Sequence, residues 1–285
     1  MDEPLLIAEN LNKSYSRSGG PFRARSAPKP ALIDASLRLD RGEIIGVVGE
    51  SGSGKTTLAR CVALLDRPDS GRVVFKGDDL TALSGAALRT RRRYIQTIFQ
   101  DPYASLNPRM RIGDALEEVI RFHRLVGRAD VSTRVKKLLN QVGLPSSAAS
   151  AYPAAFSGGQ RQRICIARAL AAEPEILIAD EPVSALDVSI QAQVVNLLLD
   201  LRQQLQLSII FIGHDLQLVN FIAPRVIIML GGRIVETIPE GKSLSDAEHA
   251  YTRELLDAVP RLENLRPPEG EGRTGPKCIA PQKLR

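Results

Sequence analysis

The stretch GESGSGKTT (49–57) constrains the fold more than any other part of the chain. It has the spacing Gly-x-x-x-x-Gly-Lys-Thr and stands between the apolar run EIIGVVG (43–49) and a helical pattern, the setting this motif requires. Gly49, Gly52 and Gly54 let the chain wrap closely round phosphates, whose negative charge the backbone N–H groups and the helix start favour. Lys55 is expected to reach the β- and γ-phosphates of a nucleotide, and the Thr56 hydroxyl to bind Mg²⁺. The whole loop, Gly49, Glu50, Ser51, Gly52, Ser53, Gly54, Lys55, Thr56 and Thr57, is read as nucleotide-binding.

Two further apolar runs, EILIAD (175–180) and LSIIFIG (207–213), have the character of buried parallel strands. Helical patterns follow the first two runs: Leu58, Cys61, Val62 and Leu65 share one face, as do Ile190, Val194, Leu197, Leu198, Leu201 and Leu205. This alternation predicts an α/β fold with a doubly wound parallel sheet, whose ligands bind beyond the carboxyl ends of the strands. Short N-terminal strands are expected from the alternation at Leu37–Arg38–Leu39 and from GRVVFKG (71–77). The Gly-, Pro-, Ser- and Arg-rich segment between Tyr15 and Leu32 reads as a mobile loop. Over about 101–157 the pattern changes. Ile112, Leu116, Val119 and Ile120 suit one amphipathic helix, Val131, Val135, Leu138, Leu139 and Val142 a second, and no strand lies between them. This segment is read as a helical subdomain inserted into a domain spanning 1–240. Ser245 and Glu248 have capping-box spacing before a helix bearing Tyr251, Leu255 and Ala258, which forms a C-terminal extension over 241–260. Residues 261–285, rich in Pro, Gly and charge, are expected to be disordered.

A phosphate loop needs an acidic partner for the metal. Asp180 ends its apolar run and Glu181 follows it, so Asp180 is expected to act on Mg²⁺ and Glu181 to orient and deprotonate the attacking water. On its own such a pair is more often a turn or a helix cap; beside the phosphate loop it is read as functional. His214 closes the third run at the same sheet edge and is assigned to the γ-phosphate. Gln100, at the end of another short apolar run, is a candidate for the metal or the water. His123 and His249 have no such placement.

Composition narrows the field less. The chain has 285 residues, 44% hydrophobic and 25% charged, which suits one large domain with an insertion. No run of about 18 apolar residues is present, and the acidic start MDEPLLIAEN is unlike a signal peptide, so a cytosolic location is expected. Cys61, Cys165 and Cys278 are far apart, and the first two read as small buried hydrophobes. A net charge of +6 suits nucleic acid, anionic lipid and polyphosphate alike.

A second glycine device, FSGGQRQRICIARAL (156–170), again runs into a helix. With it, the set resembles an ATP-binding-cassette (ABC) ATPase over about residues 5–260: Walker A at 49–56, Gln100 as Q-loop, FSGGQ at 156–160 as signature motif, Asp180–Glu181 as Walker B and its glutamate, SALD (184–187) as D-loop, His214 as switch histidine. The resemblance implies a P-loop NTPase cassette: a RecA-like parallel core sheet, an N-terminal antiparallel β part and an inserted α-helical subdomain. It implies that two cassettes pair head to tail, each ATP lying between one phosphate loop and the other chain's signature. Ser157, Gly158, Gly159, Gln160 and Asp187 are then nucleotide-binding in trans, and Tyr15 stacks on adenine. Within the family, GVVGESGSGKTTLARC, FQDPYASLNPRM and EPVSALDVSIQAQVVNLL are similar to ATPases of bacterial oligopeptide, dipeptide and nickel importers, with Val183 and PYASLNPRM favouring the F-type subunit. The implied partners are a second ATPase (a D-type paralogue or this chain itself), two transmembrane permease subunits and, indirectly, a substrate-binding protein. The implied site of action is the cytoplasmic face of the inner membrane. Some relatives carry an iron–sulfur segment after the C-terminal helix; with only Cys278 there, no cluster is predicted. A soluble cassette acting on nucleic acid or ribosomes is the other reading, supported only by the basic charge. The run Arg91–Arg93 is expected to be a solvated face, and no nucleic acid is expected as partner.

Overall fold

The computed structural model describes residues 3–16 and 28–257. Two sheets organise it. The first takes β1 (Leu6–Tyr15), β2 (Lys29–Leu39), β4 (Ser70–Phe75) and β5 (Asp78–Asp79) in the order β2-β1-β4-β5, all antiparallel. The second takes β3 (Ile44–Val48), β6 (Ile95–Ile98), β7 (Ile176–Asp180), β8 (Ser208–Ile212), β9 (Arg225–Leu230) and β10 (Arg233–Ile238) in the order β10-β9-β3-β8-β7-β6. It is parallel except for the β9–β10 hairpin.

Burial explains this arrangement. Every residue of β3, β7 and β8 is buried, as strands covered on both faces must be. Alternate side chains go to opposite layers. Ile45, Val47, Ile176, Ile178, Ile210 and Ile212 face α1 (Lys55–Val62) and the antiparallel sheet. Ile44, Leu177, Ala179, Ile209 and Phe211 face the helices that follow. After α2 (Gly85–Arg92) these are α3 (Pro102–Ser105), α4 (Ile112–His123), α5 (Val131–Gln141), α6 (Gly158–Leu170), α7 (Val188–Leu205), α8 (Leu216–Ile222) and α9 (Ala250–Asp257). Between β6 and β7 the described chain is helical, with α6 packed on α3, α4 and α5.

Four local expectations change. Leu65 does not share the buried face of α1, because the helix ends at Val62 and the chain turns at Leu64 with φ 51°, leaving Leu65 exposed. Leu205, at the last position of α7, is likewise exposed. The segment assigned to a loop between Tyr15 and Leu32 is strand from Lys29 onward, paired with β1, while 17–27 lies outside the described residues. The C-terminal capping box is Ser243 with Asp246, not Ser245 with Glu248. The reason is Glu236 of β10, whose Oε1 accepts the Glu248 and His249 N–H groups at 2.6 and 3.3 Å and so takes the donors a Ser245 cap would need. Ala258, Cys278 and the tail 261–285 also lie outside the described residues. No helix among those described is long and apolar enough to cross a membrane.

Candidate functional site

Strand order brings the expected residues to one edge. Gly49 follows β3, Asp180 ends β7, His214 follows β8 and Gln100 follows β6, and β3, β8, β7 and β6 are parallel neighbours in that order. All four therefore stand at carboxyl ends, beside the N-terminus of α1. A cleft of about 530 Å³ opens there, lined by Tyr15, Lys29–Ala31, the outer phosphate loop with Lys55–Thr57, and Gln100, Glu181 and His214.

The loop is held tightly from behind. A Cβ at Gly49 would lie 2.2 Å from the Met229 carbonyl oxygen, and its φ is 153°, so only glycine fits between loop and β9. Lys55 is buried, and its Nζ donates to the carbonyls of Gly49 and Glu50 at 2.7 and 2.9 Å. Two of its three donors are thus used and one is left for a ligand. Burial pulls Lys55 below the ordinary lysine range, against the opposing influence of Glu181 and Asp180. Inside the loop the Ser53 hydroxyl is buried without a hydrogen-bond partner. Gly52 and Gly54 line the cleft together with Lys55, and a glycine-lined concavity beside an ammonium with a free donor fits a bound phosphate.

Thr56 Oγ1 donates to Asp180 Oδ1 at 3.3 Å. Asp180 is buried, and burial is the largest influence on its carboxyl, raising it above the usual range; the Thr56 hydrogen bond and Lys55 pull it back. A hydroxyl and a carboxylate side by side form a hard-oxygen pair that fits Mg²⁺. Glu181 has φ 46°, a conformation that costs about 1–3 kcal/mol for a non-glycine residue and gathers at functional sites. Its N–H is held by the Ile212 carbonyl at 3.0 Å. Its Oε2 accepts from Gln100 Nε2 at 3.0 Å and lies 3.7 Å from His214 Nδ1. Ser184 closes the cluster, accepting from Gln100 Nε2 at 3.3 Å and donating to the Glu181 carbonyl at 3.1 Å.

Tyr15 ends β1 with its ring partly exposed at the cleft wall. Its hydroxyl donates to Asp66 Oδ2 at 2.6 Å, and Asp66 receives Arg60 Nε and Nη2 at 2.8 and 3.0 Å. Arg60 belongs to α1, so the ring is tied to the helix that bears Lys55. The Arg60 hydrogen bonds hold Asp66 down at about 2, and burial with the Asp66 contact pushes Tyr15 up to about 12.

The signature residues lie elsewhere. Ser157 caps α6: its Oγ accepts from Gln160 N at 3.3 Å, and Gln160 Oε1 accepts from Ser157 N at 3.0 Å. Neither lines the cleft. Gly159 is small for a packing reason, since a Cβ there would lie 2.4 Å from Ile190 Cγ2 of α7, whereas at Gly158 the nearest atom is Leu186 Cδ2 at 3.4 Å. Asp187 precedes α7, exposed and without a side-chain cap bond. Glu50 does not line the cleft, and its N–H donates to Tyr251 Oη at 3.0 Å. No motif marks Asp66, Arg60 or Tyr251 in the sequence, and Ser184 is marked only as the first residue of SALD. Arg91 pairs with Asp78 at 2.5 Å and Arg93 lies 4.6 Å over the Tyr94 ring, so part of the arginine run is engaged within the chain.

A phosphate loop, an acidic strand end and a glutamate held by Gln100 beside a histidine make a cleft suited to nucleotide hydrolysis, and with the separate, capped FSGGQ start of α6 they match an ATPase of the ATP-binding-cassette class. The ABC transporter family model matches residues 32–184, and the chain belongs to that family. The chain is 49% identical over 259 residues to a Brucella ovis protein named as a candidate peptide import ATP-binding protein, covering 91% of this chain and 80% of that one. It is 44% identical over 262 residues to the dipeptide transport ATP-binding protein DppF of Escherichia coli (strain K12), covering 92% and 78%. Among solved structures, a post-hydrolysis dimer of the cassette MJ0796 bound to ADP and Pi superposes with a TM-score of 0.72 at 27% identity, over 84% of this chain and 99% of that one.

Proposed function

We propose that the chain is the ATP-hydrolysing subunit of a peptide importer, acting at the cytoplasmic face of the membrane on two permease subunits. Residues 1–240 form the catalytic cassette in this reading. The observation that carries it is the division of the motifs: Lys55, Thr56, Gln100, Glu181 and His214 line one cleft, with Asp180 against Thr56, while Ser157–Gln160 lie outside it. Each chain then holds half of two sites. In a head-to-tail pair the capped start of α6 meets the γ-phosphate in the other chain's loop, presenting the Ser157 hydroxyl and free helix N–H groups.

At the cleft, Lys55 and the loop amides hold the phosphates. Thr56, Asp180 and Gln100 would hold Mg²⁺, which when bound offsets phosphate charge. Glu181 takes the proton of the attacking water, kept in place by Gln100, and His214 faces the γ-phosphate. The membrane subunits are read to dock beside the Q-loop, where exposed Phe99 and Phe122 border a groove of about 320 Å³ between helical layer and sheet edge. The relatives' names support peptide over nickel as cargo. Purification of the complex with its permeases, followed by ATP-dependent uptake in vesicles, tests the reading. Peptide-stimulated uptake and turnover are expected; stimulation by nickel and not by peptide would overturn the cargo. Ser157→Arg should keep ATP binding to the isolated chain while abolishing turnover in the complex.

A further inference from the structure

The last described helix returns the chain to the phosphate loop. Glu236 of β10 clamps the entry to α9 through the Glu248 and His249 N–H groups, and His249 Nδ1 accepts the Tyr251 N–H at 3.2 Å. Thr252 is fully buried and Tyr251 is 7% exposed, its ring part of the core beneath the parallel sheet. The Tyr251 hydroxyl accepts a hydrogen bond from the Glu50 N–H at 3.0 Å, across two hundred residues of chain. Burial holds the phenol above its ordinary value, so it stays a neutral hydroxyl.

The Glu50 N–H and the Gly49 carbonyl belong to one rigid peptide group. On one side that group donates to Tyr251; on the other it accepts from Lys55 Nζ at 2.7 Å. Gly49 has no side chain to restrict rotation of this peptide. A flip would break both bonds together. Tyr251 therefore fixes the plane that seats the ammonium.

We propose that Tyr251 is a positioning residue for Lys55, and that the C-terminal helix α9 is a structural part of the nucleotide site. The proposal rests on the reading of Lys55 as the phosphate-binding lysine. It gives the extension beyond the cassette a task at the ATP site: whatever moves α9 alters phosphate affinity.

The test is a double-mutant cycle on the full chain with Tyr251→Phe, which keeps the ring, and Lys55→Ala. Affinities for ATP and for tripolyphosphate are measured by calorimetry, melting is followed by circular dichroism, and exchange of the Glu50 amide by hydrogen–deuterium exchange. Tyr251→Phe should weaken both ligands by the same factor, about 2- to 10-fold as the net worth of one hydrogen bond sets. It should also speed Glu50 exchange, and it should add nothing in the Lys55→Ala background. Unchanged affinities, with or without a lower melting temperature, or an equal loss in the Lys55→Ala background, would overturn the proposal and leave Tyr251 a fold contact. Normal ATP affinity of Lys55→Ala alone would instead overturn the phosphate-loop reading on which it rests.

Discussion

Replacement of Asp66 by alanine tests our proposal that Tyr15 stacks on the adenine of ATP and that Asp66 tethers it there. Tyr15 is held by one strong hydrogen bond, 2.6 Å to Asp66, and Asp66 is held by two from Arg60. Without Asp66 the tyrosine must be ordered by the nucleotide itself, and ordering such a side chain costs about 0.5–1.5 kcal/mol. The dissociation constant for ATP should rise about 2- to 12-fold. Tripolyphosphate, which has no base, should bind as before. Tyr15→Leu removes the stacking face and should weaken ATP further, by about 5- to 150-fold for a stack worth about 1–3 kcal/mol. Asp66→Asn keeps an acceptor for the phenol and should recover part of the loss. The same residue sets an acid limb. Its folded-state value, about 2, is below the ordinary carboxylate value of 3.8, so its stabilisation is complete above about pH 4 and is lost as pH falls toward 2. Acid melting of Asp66→Ala should be flatter over that window. Calorimetric titration with both ligands decides the matter: equal weakening of ATP and tripolyphosphate would place the effect in the phosphate helix and refute the tether.

The two signature glycines should differ when each is replaced by alanine. Both gain helix propensity, but only Gly159→Ala drives a methyl into Ile190, an overpacking worth about 1–3 kcal/mol. Its melting temperature should fall below that of Gly158→Ala by about 2–4 °C per kcal/mol; equal melting would remove the packing explanation. Burial pushes the Cys61 thiol up to about 11 and Cys165 up to about 12. Neither should be alkylated by iodoacetamide at pH 8 in the folded chain, and peptide mapping that finds either one modified would contradict their burial.

What the sequence revealed is what short-range chemistry specifies. The phosphate loop, the Asp180–Glu181 pair and His214 each follow an apolar run, and a parallel sheet sends all such ends to one edge. The Ser157–Gln160 cap is local too, both partners lying within one turn. Contacts made by the packing of distant segments left no local trace. Tyr15 meets Asp66 across 51 residues and Tyr251 meets Glu50 across 201, and neither pair has a spacing to read. The C-terminal cap differs from its local pattern for a related reason. Ser243–Asp246 and Ser245–Glu248 both have capping-box spacing, and Glu236, on a neighbouring strand, decides between them. The packing of Ile190 against Gly159 likewise leaves no local trace, since α7 lies about thirty residues further along the chain.

The central claim is that Glu181, set in its left-handed turn and held by Gln100, is the base for ATP hydrolysis in the cleft. Single-turnover hydrolysis and ATP binding by Glu181→Gln, compared with the native chain in the assembled transporter, test it most directly. General-base removal is worth about 10²- to 10⁴-fold, so hydrolysis should fall by at least about a hundredfold while ATP affinity is retained. Native rates of hydrolysis in that variant would contradict the account.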